Sequence, residues 1–384
     1  MKNNFFSEIK NSLVSIVFYI CAILLFIFLL FFVAPEFLSS KITNIDWSNK
    51  DQMSQVIKEE KSSVLLEIPI LDVVAYDSKL EELANNPPPK AVEPKIDPKT
   101  GGPLPLPELK PNLWPAKTVY PNAGAILPFK RIVAYYGNLY SRQMGVLGEY
   151  DEPEMLAKLD AEVMRWNTAD PNTPVLPALH YIAVVAQESA GKDGKYRARM
   201  PDEEIEKILK IAEKINAIVF LDIQVGLSDL QTEVPLLEKY LKLPNVHLGV
   251  DPEFSMKTGA RPGKVVGTLD AVDINFTAEY MARIVKENNL TPKILVVHRY
   301  TKDMVTNSNL IKPLPEVQIV MHMDGWGGAA KKKNTYDYFV RREPVQFAGF
   351  KLFYKVDLVT PKDTLMIPED LLKLSPRPIY IQYQ

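Results

Sequence analysis

The sequence is poor in the residues that build several common kinds of site. Cysteine occurs once among 384 residues, as Cys21. A single cysteine excludes internal disulfides and cysteine-ligated metal centres. Lysine and arginine total 45 against 47 aspartate and glutamate residues, and the net charge of −2 offers no basic surface for nucleic acid. Stability must therefore come from a sizeable hydrophobic core.

Two motifs that mark cofactor-dependent α/β enzymes are also missing. No Gly-x-Gly-x-x-Gly follows the first predicted strand, which disfavours a dinucleotide-binding fold. That strand contains Tyr135-Tyr136-Gly137, where metal-dependent amidohydrolase barrels carry His-x-His. We therefore predict neither a cofactor nor a metal site. A metal-dependent hydrolase using His298 and His322 with nearby carboxylates stays open as an alternative, because imidazole and carboxylate suit zinc or manganese.

One long apolar run is present, at residues 13–34, and it contains neither charge nor proline. A bilayer core is spanned by about 20 apolar residues, so we predict a single transmembrane helix. Lys2 and Lys10 precede the run, which favours a cytoplasmic N-terminus at residues 1–12 and an extracytoplasmic main domain. Pro35 follows directly where a leader peptide would be cleaved, so we predict an uncleaved signal anchor.

Composition divides the rest of the chain into three parts. Residues 35–86 form a membrane-proximal segment of mixed character, to which the sequence assigns no role. Residues 87–128 are dense in proline, which favours an extended, semi-rigid spacer. An ordered strap on the domain surface is the alternative for the later half of that segment. Residues 129–384 form the main domain.

Short apolar runs alternate with helical patterns throughout residues 129–384. Continuous apolar runs are typical of parallel strands buried on both faces. Eight such units in about 250 residues match the size of a (β/α)₈ TIM-like barrel, which is the fold that we predict. The predicted strands are Arg131–Asn138, Tyr181–Gln187, Ala217–Val225, Val246–Phe254, Lys293–Tyr300, Val317–Asp324, Phe347–Val356 and Pro378–Tyr383. The predicted helices are Glu152–Thr168, Pro201–Asn216, Leu230–Leu243, Phe276–Glu287, Thr301–Leu310, Thr335–Arg342 and Pro368–Leu374.

Polar residues mark the C-terminal ends of these strands, where barrel enzymes place their sites. Three pairs are spaced i, i+2 and should share a face of their strand. Turned outward they would be buried under helices at a cost of several kcal/mol each, so we expect them to face the barrel mouth. Salt bridges in a polar barrel interior are the alternative. The strand-end candidates are Tyr136, Glu188, Asp222, Gln224, Asp251, Glu253, His298, His322, Asp324, Lys355 and Tyr383.

The pair on the fourth predicted strand, Asp251 and Glu253, suggests the chemistry. Two carboxyl groups about 6–7 Å apart along a strand interact, and one anion raises the pKa of the other. A protonated acid beside an anion is the equipment for glycosidic bond cleavage. We expect Glu253 to donate the proton and Asp251 to hold that proton or to stabilise a cationic intermediate. His180 and His247 begin their predicted strands, so we expect them at the far face of the barrel as surface or packing residues.

Three segments resemble the chitinase-like glycoside hydrolases of family 18 and, more loosely, the family 25 lysozymes. Gly249-Val250-Asp251-Pro252-Glu253 is similar to the Asp-x-Glu at the end of the fourth strand in those barrels. Met321-His322-Met323-Asp324-Gly325-Trp326 is similar to the Met-x-Tyr-Asp of their sixth strand, with Met323 replacing the tyrosine. Phe220-Leu221-Asp222-Ile223 falls where the family has an apolar third strand.

The resemblance implies a TIM barrel in which Glu253 is the acid, Asp251 its helper and Asp324 an orienting group. It also implies a glycan substrate whose N-acetyl group acts as nucleophile, although Met323 stands where the family's tyrosine would contact that group. The sequence thus predicts a membrane-anchored glycosidase-like hydrolase of cell-envelope or extracellular polysaccharide. A non-catalytic barrel that binds glycans or envelope partners is the second interpretation. Substrate contacts are expected from Asp222, Gln224, Glu188, His298, His322, Trp326, Tyr136, Lys355 and Tyr383.

Overall fold

The computed structural model describes residues 70–88, 112–116, 118–361 and 363–384. The predicted cytoplasmic segment 1–12 and the predicted span 13–34 lie outside these residues, as do most of segment 35–86 and more than half of the proline-rich segment 87–128. Within the part that is described, no helix combines the length and the apolar composition that a bilayer span requires.

Eight parallel strands close into a barrel, which confirms the predicted fold class. Neighbours along the chain pair in sequence, and the last strand pairs with the first. The strands are β1 (Arg131–Gly137), β2 (Val175–Ala186), β3 (Ile218–Ile223), β4 (Val246–Val250), β5 (Lys293–Arg299), β6 (Val317–Met323), β7 (Phe347–Leu352) and β8 (Tyr380–Tyr383). A short strand, Arg197–Arg199, pairs antiparallel with the end of β2.

Side chains alternate between two apolar layers along each strand. In β1, Val133 and Tyr135 point outward into the core shared with the helices, whereas Ile132 and Ala134 point into the barrel. Every residue of β1 is buried. This is why the strands read as continuous apolar runs and not as alternating patterns.

The helices lie around the barrel and differ from prediction mainly at their ends. Leu230–Leu243 was expected as one helix, but Pro235 lies inside it and the helix ends at Leu236, with a second short helix after Leu237. The α-helices are α1 (Val73–Ala84), α2 (Val146–Glu149), α3 (Glu152–Ala169), α4 (Asp202–Glu213), α5 (Leu230–Leu236), α6 (Glu238–Leu241), α7 (Ala271–Glu287), α8 (Ala329–Tyr336) and α9 (Pro368–Leu371).

Two predicted helices are corrected by the structure. Thr301–Leu310 contains no α-helix, because Val305–Thr306 pairs with Leu269–Asp270 as a small parallel sheet and a 3₁₀ turn follows at Ser308–Leu310. Asn307 between them has φ of 54°, a left-handed conformation that interrupts a helix. The helix expected at Thr335–Arg342 instead begins at Ala329 and continues as a π-helical turn at Asp337–Arg341.

Residues of α1 and of the segment before β1 close the N-terminal end of the barrel. Tyr76 and Leu83 of α1 pack with Leu127 against inward residues such as Ile132 and Phe220. Polar contacts hold this plug, since the Leu127 amide donates to Gln318 Oε1 at 3.1 Å, at the start of β6. A second bond runs from the Arg377 amide to the Leu83 carbonyl at 2.7 Å. The opposite, C-terminal end of the barrel is left open.

The described end of the proline-rich segment lies on the domain. The Trp114 side chain is buried, and its indole Nε1 donates to the carbonyl of Arg341 at 2.8 Å. Leu113 beside it is exposed. For residues 112–116, the arrangement is that of an ordered strap.

Candidate active site

A cavity of about 300 Å³ opens at the C-terminal ends of the strands. That volume is at the lower end of the range of about 300–1,000 Å³ found for small-ligand sites. Its lining mixes carboxyl groups, one lysine and several aromatic rings. The lining residues are Tyr136, Met144, Ile182, Ala186, Gln224, Asp251, Glu253, Phe254, Tyr300, Asp324, Trp326, Lys351, Phe353 and Gln384.

Asp251 and Glu253 reach the cavity by a geometry that differs from the expected one. Strand β4 ends at Val250, and Pro252–Phe254 forms a 3₁₀ turn, so the two residues are not successive positions on one face of a strand. Asp251 caps the turn, and its Oδ1 accepts the backbone amide of Glu253 at 3.0 Å. Pro252 has no amide to pair in a sheet, which ends the strand here. Asp251 therefore fixes the backbone that carries Glu253.

The pKa values of both of these carboxyl groups are raised. Burial raises the pKa of Glu253, the negative charge of Asp324 adds to the rise, and a hydrogen bond from Tyr300 opposes it. Burial also raises the pKa of Asp251 well above its ordinary value, with further increases from the charges of Glu253 and Asp324 and a decrease from His298. The cavity thus holds carboxyl groups that keep a proton to higher pH than in water.

Asp324 lies in a different environment, as the partner of a charged histidine. His298 Nδ1 is 2.9 Å from Asp324 Oδ2, and both side chains are buried. Although burial disfavours a charged ring, the carboxylates of Asp222 and Asp324 raise the pKa of His298 to about 10. The other oxygen of Asp324, Oδ1, has no hydrogen-bond partner among the described residues. The carboxyl group that pairs with His298 thus borders the same cavity as Glu253, whose pKa is raised.

Beneath the cavity, the barrel interior contains a buried polar layer. His180 Nε2 lies 3.1 Å from Asp222 Oδ1, and the hydroxyl of Tyr380 contacts His180 Nδ1. The expectation that His180 lies at the far face is wrong, because β2 begins at Val175 and His180 is in mid-strand. Burial lowers the pKa of His180 to about 4 despite the nearby Asp222, so this ring is neutral at pH 7.

Burial opposes ionisation of Asp222, but the positive charge of His298 and the hydrogen bond from His180 outweigh it and lower the pKa of Asp222. His247, the other histidine expected at the far face, is fully buried nearer the base, where its Nδ1 accepts the Ile294 amide at 3.0 Å. It is a packing residue, as expected, but it is not on the surface.

Glycines on two strands give the buried rings their space. A Cβ at Gly249 would lie 2.3 Å from Asp222 Oδ1 and 2.4 Å from His180 Nε2. A Cβ at Gly349 would lie 2.6 Å from Nδ1 of His322. His322 is fully buried below the cavity, and neither of its ring nitrogens has a hydrogen-bond partner in the described part of the chain. Substrate contact by His322 would therefore require movement of the groups above it.

A chain of hydrogen bonds links the buried layer to the cavity. The hydroxyl of Tyr136 donates to Asp222 Oδ2 at 3.1 Å. Gln224 Nε2 in turn lies 3.4 Å from the Tyr136 hydroxyl and donates to Asp251 Oδ2 at 3.2 Å. Asp222 therefore acts below the cavity surface, whereas Tyr136 and Gln224 form part of that surface.

Two cavity residues stand out by their exposure and their charge. Trp326 is 54% exposed, and its ring lies at the mouth with Lys331 Nζ 4.0 Å from the ring centroid. Lys351, on β7, is buried with its Nζ 3.9 Å from the centroid of the Tyr136 ring. Burial lowers the pKa of Lys351, while Asp324 and the other carboxylates oppose that change. No carboxylate among the described residues lies within ion-pair distance of this ammonium group.

Six predicted contact residues do not line the cavity, and three of them, Asp222, His298 and His322, are buried below it. Glu188 is exposed on the loop after β2. Lys355 is exposed and pairs with Glu149 Oε1 at 2.5 Å. Tyr383 points toward the helices, where its hydroxyl accepts from Trp166 Nε1 at 3.0 Å. Met323 likewise packs in the outer core.

Lys351 and His180 were missed by the sequence analysis as functional candidates. Each is a single polar residue inside an apolar strand, in the runs Phe347–Leu352 and Val175–Ala186. A lone polar residue within a buried run must point to the polar side of its strand or be paired, and this is the signal that could have identified both.

Comparison with known proteins gives distant structural similarity only. No family profile matches the chain, and no curated protein matches its sequence. Among solved structures, a ruminal GH26 endo-β-1,4-mannanase aligns with 11% identity and a TM-score of 0.32 over 67% of this chain. This chain spans 59% of the length of that mannanase. A GH18 chitinase from Pseudoalteromonas aurantia aligns with 8% identity and a TM-score of 0.30, over 66% of this chain and 94% of the chitinase.

Proposed function

We propose that the protein is a glycosidase-like hydrolase that cleaves a polysaccharide by carboxyl acid/base chemistry. The observation that carries the proposal is the pairing of two unlike environments in one cavity. Glu253 has a raised pKa, and Asp324 is held by the charged His298. A carboxyl group with a raised pKa and a second carboxyl group in an ion pair, both at one cavity, suit the two roles that glycosidic cleavage requires.

In this proposal, Glu253 protonates the glycosidic oxygen as the bond to the leaving sugar breaks. Water then adds to the sugar carbon, and the Glu253 carboxylate takes the proton that this water loses, which restores the acid. The carboxylate of Asp324, at the cavity wall, stabilises the positive charge that develops on the sugar ring. Asp251 and Gln224 hold the acid in place through the 3₁₀ turn and the bond between them. Trp326 offers an exposed aromatic face at the mouth, and such faces pack on the apolar C–H surface of sugars.

The location of the protein forms part of the proposal. The apolar run at residues 13–34 and the lysines before it favour a membrane-anchored enzyme whose barrel is extracytoplasmic. Polysaccharide of the cell envelope or of the surroundings would then be the accessible substrate. Protease accessibility of the barrel in intact cells tests this location directly, because a cytoplasmic barrel would resist digestion until the cells are lysed.

The deciding experiment compares two single-atom substitutions in the full-length chain. Glu253→Gln removes the proton donor and keeps the shape, whereas Glu206→Gln changes an exposed glutamate on α4 as a matched control. Reducing-end release from peptidoglycan, chitin-type and β-mannan oligomers is measured for both. We expect a loss of about 10²–10⁴-fold in kcat for the first variant, the usual contribution of a general acid, and no change for the second.

Equal turnover by Glu253→Gln and the unmodified chain would remove Glu253 as the acid. Glycan binding without product release, unaltered by Glu253→Gln and Asp251→Asn, would identify a non-catalytic glycan-binding barrel instead. Absence of both turnover and glycan binding across the substrate panel would reject the proposal.

A further inference from the structure

Below the active-site cavity, three buried side chains point their donor atoms at one place. The atoms of His180, Asp222 and His298 all lie within 4.8 Å of one another. His180 Nε2 is 3.1 Å and His298 Nε2 is 3.4 Å from Oδ1 of Asp222. In a tetrahedral site with bonds of about 2.0–2.1 Å, neighbouring ligand atoms are separated by roughly 3.3 Å. The two distances to Asp222 Oδ1 are close to that separation.

One of these atoms is left without a hydrogen bond. Nε2 of His298 is fully buried and has no hydrogen-bond partner among the described residues, although Asp222 is close enough to attract its charge. A buried polar atom without a hydrogen bond calls for an explanation such as an ion or a water molecule. This nitrogen lies 3.4 Å from the same Asp222 oxygen that His180 Nε2 contacts at 3.1 Å.

The remaining polar atoms of the three residues are held from outside. His298 Nδ1 donates to Asp324, the hydroxyl of Tyr380 contacts His180 Nδ1, and the hydroxyl of Tyr136 donates to Asp222 Oδ2. Such outer contacts orient metal-binding rings and select the nitrogen that faces the ion. Here they leave both Nε2 atoms and Oδ1 as the inward donor set.

The strand between the ligands carries no side chain at this level. His180, Asp222 and His298 come from β2, β3 and β5, and the intervening β4 contributes Gly249. A methyl group there would lie 2.3 Å from Asp222 Oδ1 and 2.4 Å from His180 Nε2. Glycine therefore keeps the space beside the donor atoms free.

We infer that His180, Asp222 and His298 form a binding site for one divalent transition-metal ion of the zinc class. Two imidazole nitrogens and one carboxylate oxygen suit zinc, manganese, iron or cobalt, whereas magnesium and calcium prefer oxygen ligands. Three protein ligands leave a coordination position for water. Tyr136 separates the ion from the cavity, so the site belongs to the barrel interior and does not require that the protein be a hydrolase.

The test is the metal content of the full-length chain, purified without a histidine tag, stripped with a chelator and reloaded. After dialysis we expect one zinc ion per chain and a higher melting temperature, and magnesium should give neither. A substoichiometric zinc content after loading would overturn the inference. His298 Nε2 would then carry a proton, and no metal ion would bind there. Co²⁺ loading adds a spectroscopic readout, since imidazole ligation gives visible absorption that aqueous Co²⁺ lacks.

Variants assign the ion to these residues. His298→Gln and Asp222→Asn should abolish stoichiometric zinc binding, whereas His247→Gln, a buried histidine outside the cluster, should retain it. Tyr380→Phe removes an outer contact and keeps the ligands, and we expect affinity to fall about 10–100-fold. This milder variant decides the matter if Asp222→Asn fails to fold. Retention of zinc by His298→Gln, or equal affinity in Tyr380→Phe and the unmodified chain, would place the ion elsewhere.

Discussion

The backbone amide of Glu253 donates to Oδ1 of Asp251 at 3.0 Å, so one carboxyl group of the cavity holds the backbone of the other. This relationship assigns Asp251 a positioning role. It also explains how two residues that do not share a strand face still border one cavity, since the 3₁₀ turn brings Glu253 back over the end of β4.

The first prediction follows from this bond. Asp251→Asn keeps an oxygen that can cap the turn, whereas Asp251→Ala removes it, and loss of a cap costs about 0.5–2 kcal/mol. We expect the kcat of Asp251→Asn to lie between those of the unmodified chain and Asp251→Ala. Steady-state kinetics of the three proteins on one oligosaccharide make the comparison. Identical losses in both variants would show that the carboxyl group itself, and not the cap, is what matters.

The second prediction concerns the pH dependence of turnover. Glu253 must be protonated to act as the acid, so activity should fall as pH rises through its raised pKa. The Tyr300 hydrogen bond lowers that pKa, and Tyr300→Phe should therefore move the basic limb of the kcat/KM profile to higher pH. If the basic limb stayed in place or moved to lower pH, Tyr300 would not be the group that lowers the pKa of Glu253.

The third prediction concerns stability. A carboxyl group whose pKa is raised in the folded state stabilises the fold most at pH below its unfolded pKa, and that stabilisation is lost as pH rises through the folded value. Glu253→Gln replaces this group by a neutral amide, so the variant should gain stability relative to the unmodified chain as pH rises. We expect a higher melting temperature for the variant than for the unmodified chain at pH 8. The gain should shrink toward pH 4, and thermal scans at both pH values provide the check.

The fourth prediction addresses the space beside the buried layer. Gly249→Ala places a methyl group against Asp222 and His180, both of which are fully buried. Overpacking of this kind costs about 1–3 kcal/mol. The matched control is Gly328→Ala, where the nearest atom to the new methyl group is 3.8 Å away. Urea unfolding should show a lower midpoint for Gly249→Ala than for Gly328→Ala. Equal midpoints would mean that the neighbouring side chains move to accommodate the methyl group.

The fifth prediction concerns recognition at the mouth. Trp326 is more than half exposed, so Trp326→Ala should leave the melting temperature unchanged. Loss of its aromatic face should raise KM for oligosaccharides, by about 10-fold if roughly 1.4 kcal/mol of stacking is removed. The natural comparison is Tyr338→Ala, an exposed aromatic residue away from the cavity. An unchanged KM for Trp326→Ala would show that the Trp326 ring does not contact the oligosaccharide.

The sequence predicted the barrel because buried parallel strands leave a strong signal. Runs such as Lys293–Arg299 are apolar almost throughout, and a strand covered on both faces needs no polar alternation. The start of β2 gave a weaker strand signal, because Pro174 directly precedes the strand and Pro177 lies among its first residues. That shift of six residues moved His180 from the predicted base of the barrel to its middle.

The site was less accessible to sequence reasoning because its parts meet only in three dimensions. Asp324 and His298 come from different strands, and no local pattern states that they pair. The alternation rule also failed just past β4, because Pro252 ends the strand before Glu253. Lys351 gave only the signal of one charge in an apolar run, which does not reveal whether the side chain faces a cavity.

Gln384 borders the cavity, next to residues that come from the barrel mouth. Any polypeptide fused after this position would emerge beside the opening and compete with a ligand for entry. Affinity handles and reporter proteins therefore belong before residue 70, since α1 docks at the closed end. Loss of activity in a protein with a carboxy-terminal fusion would then reflect the obstructed opening and not a defect of the site.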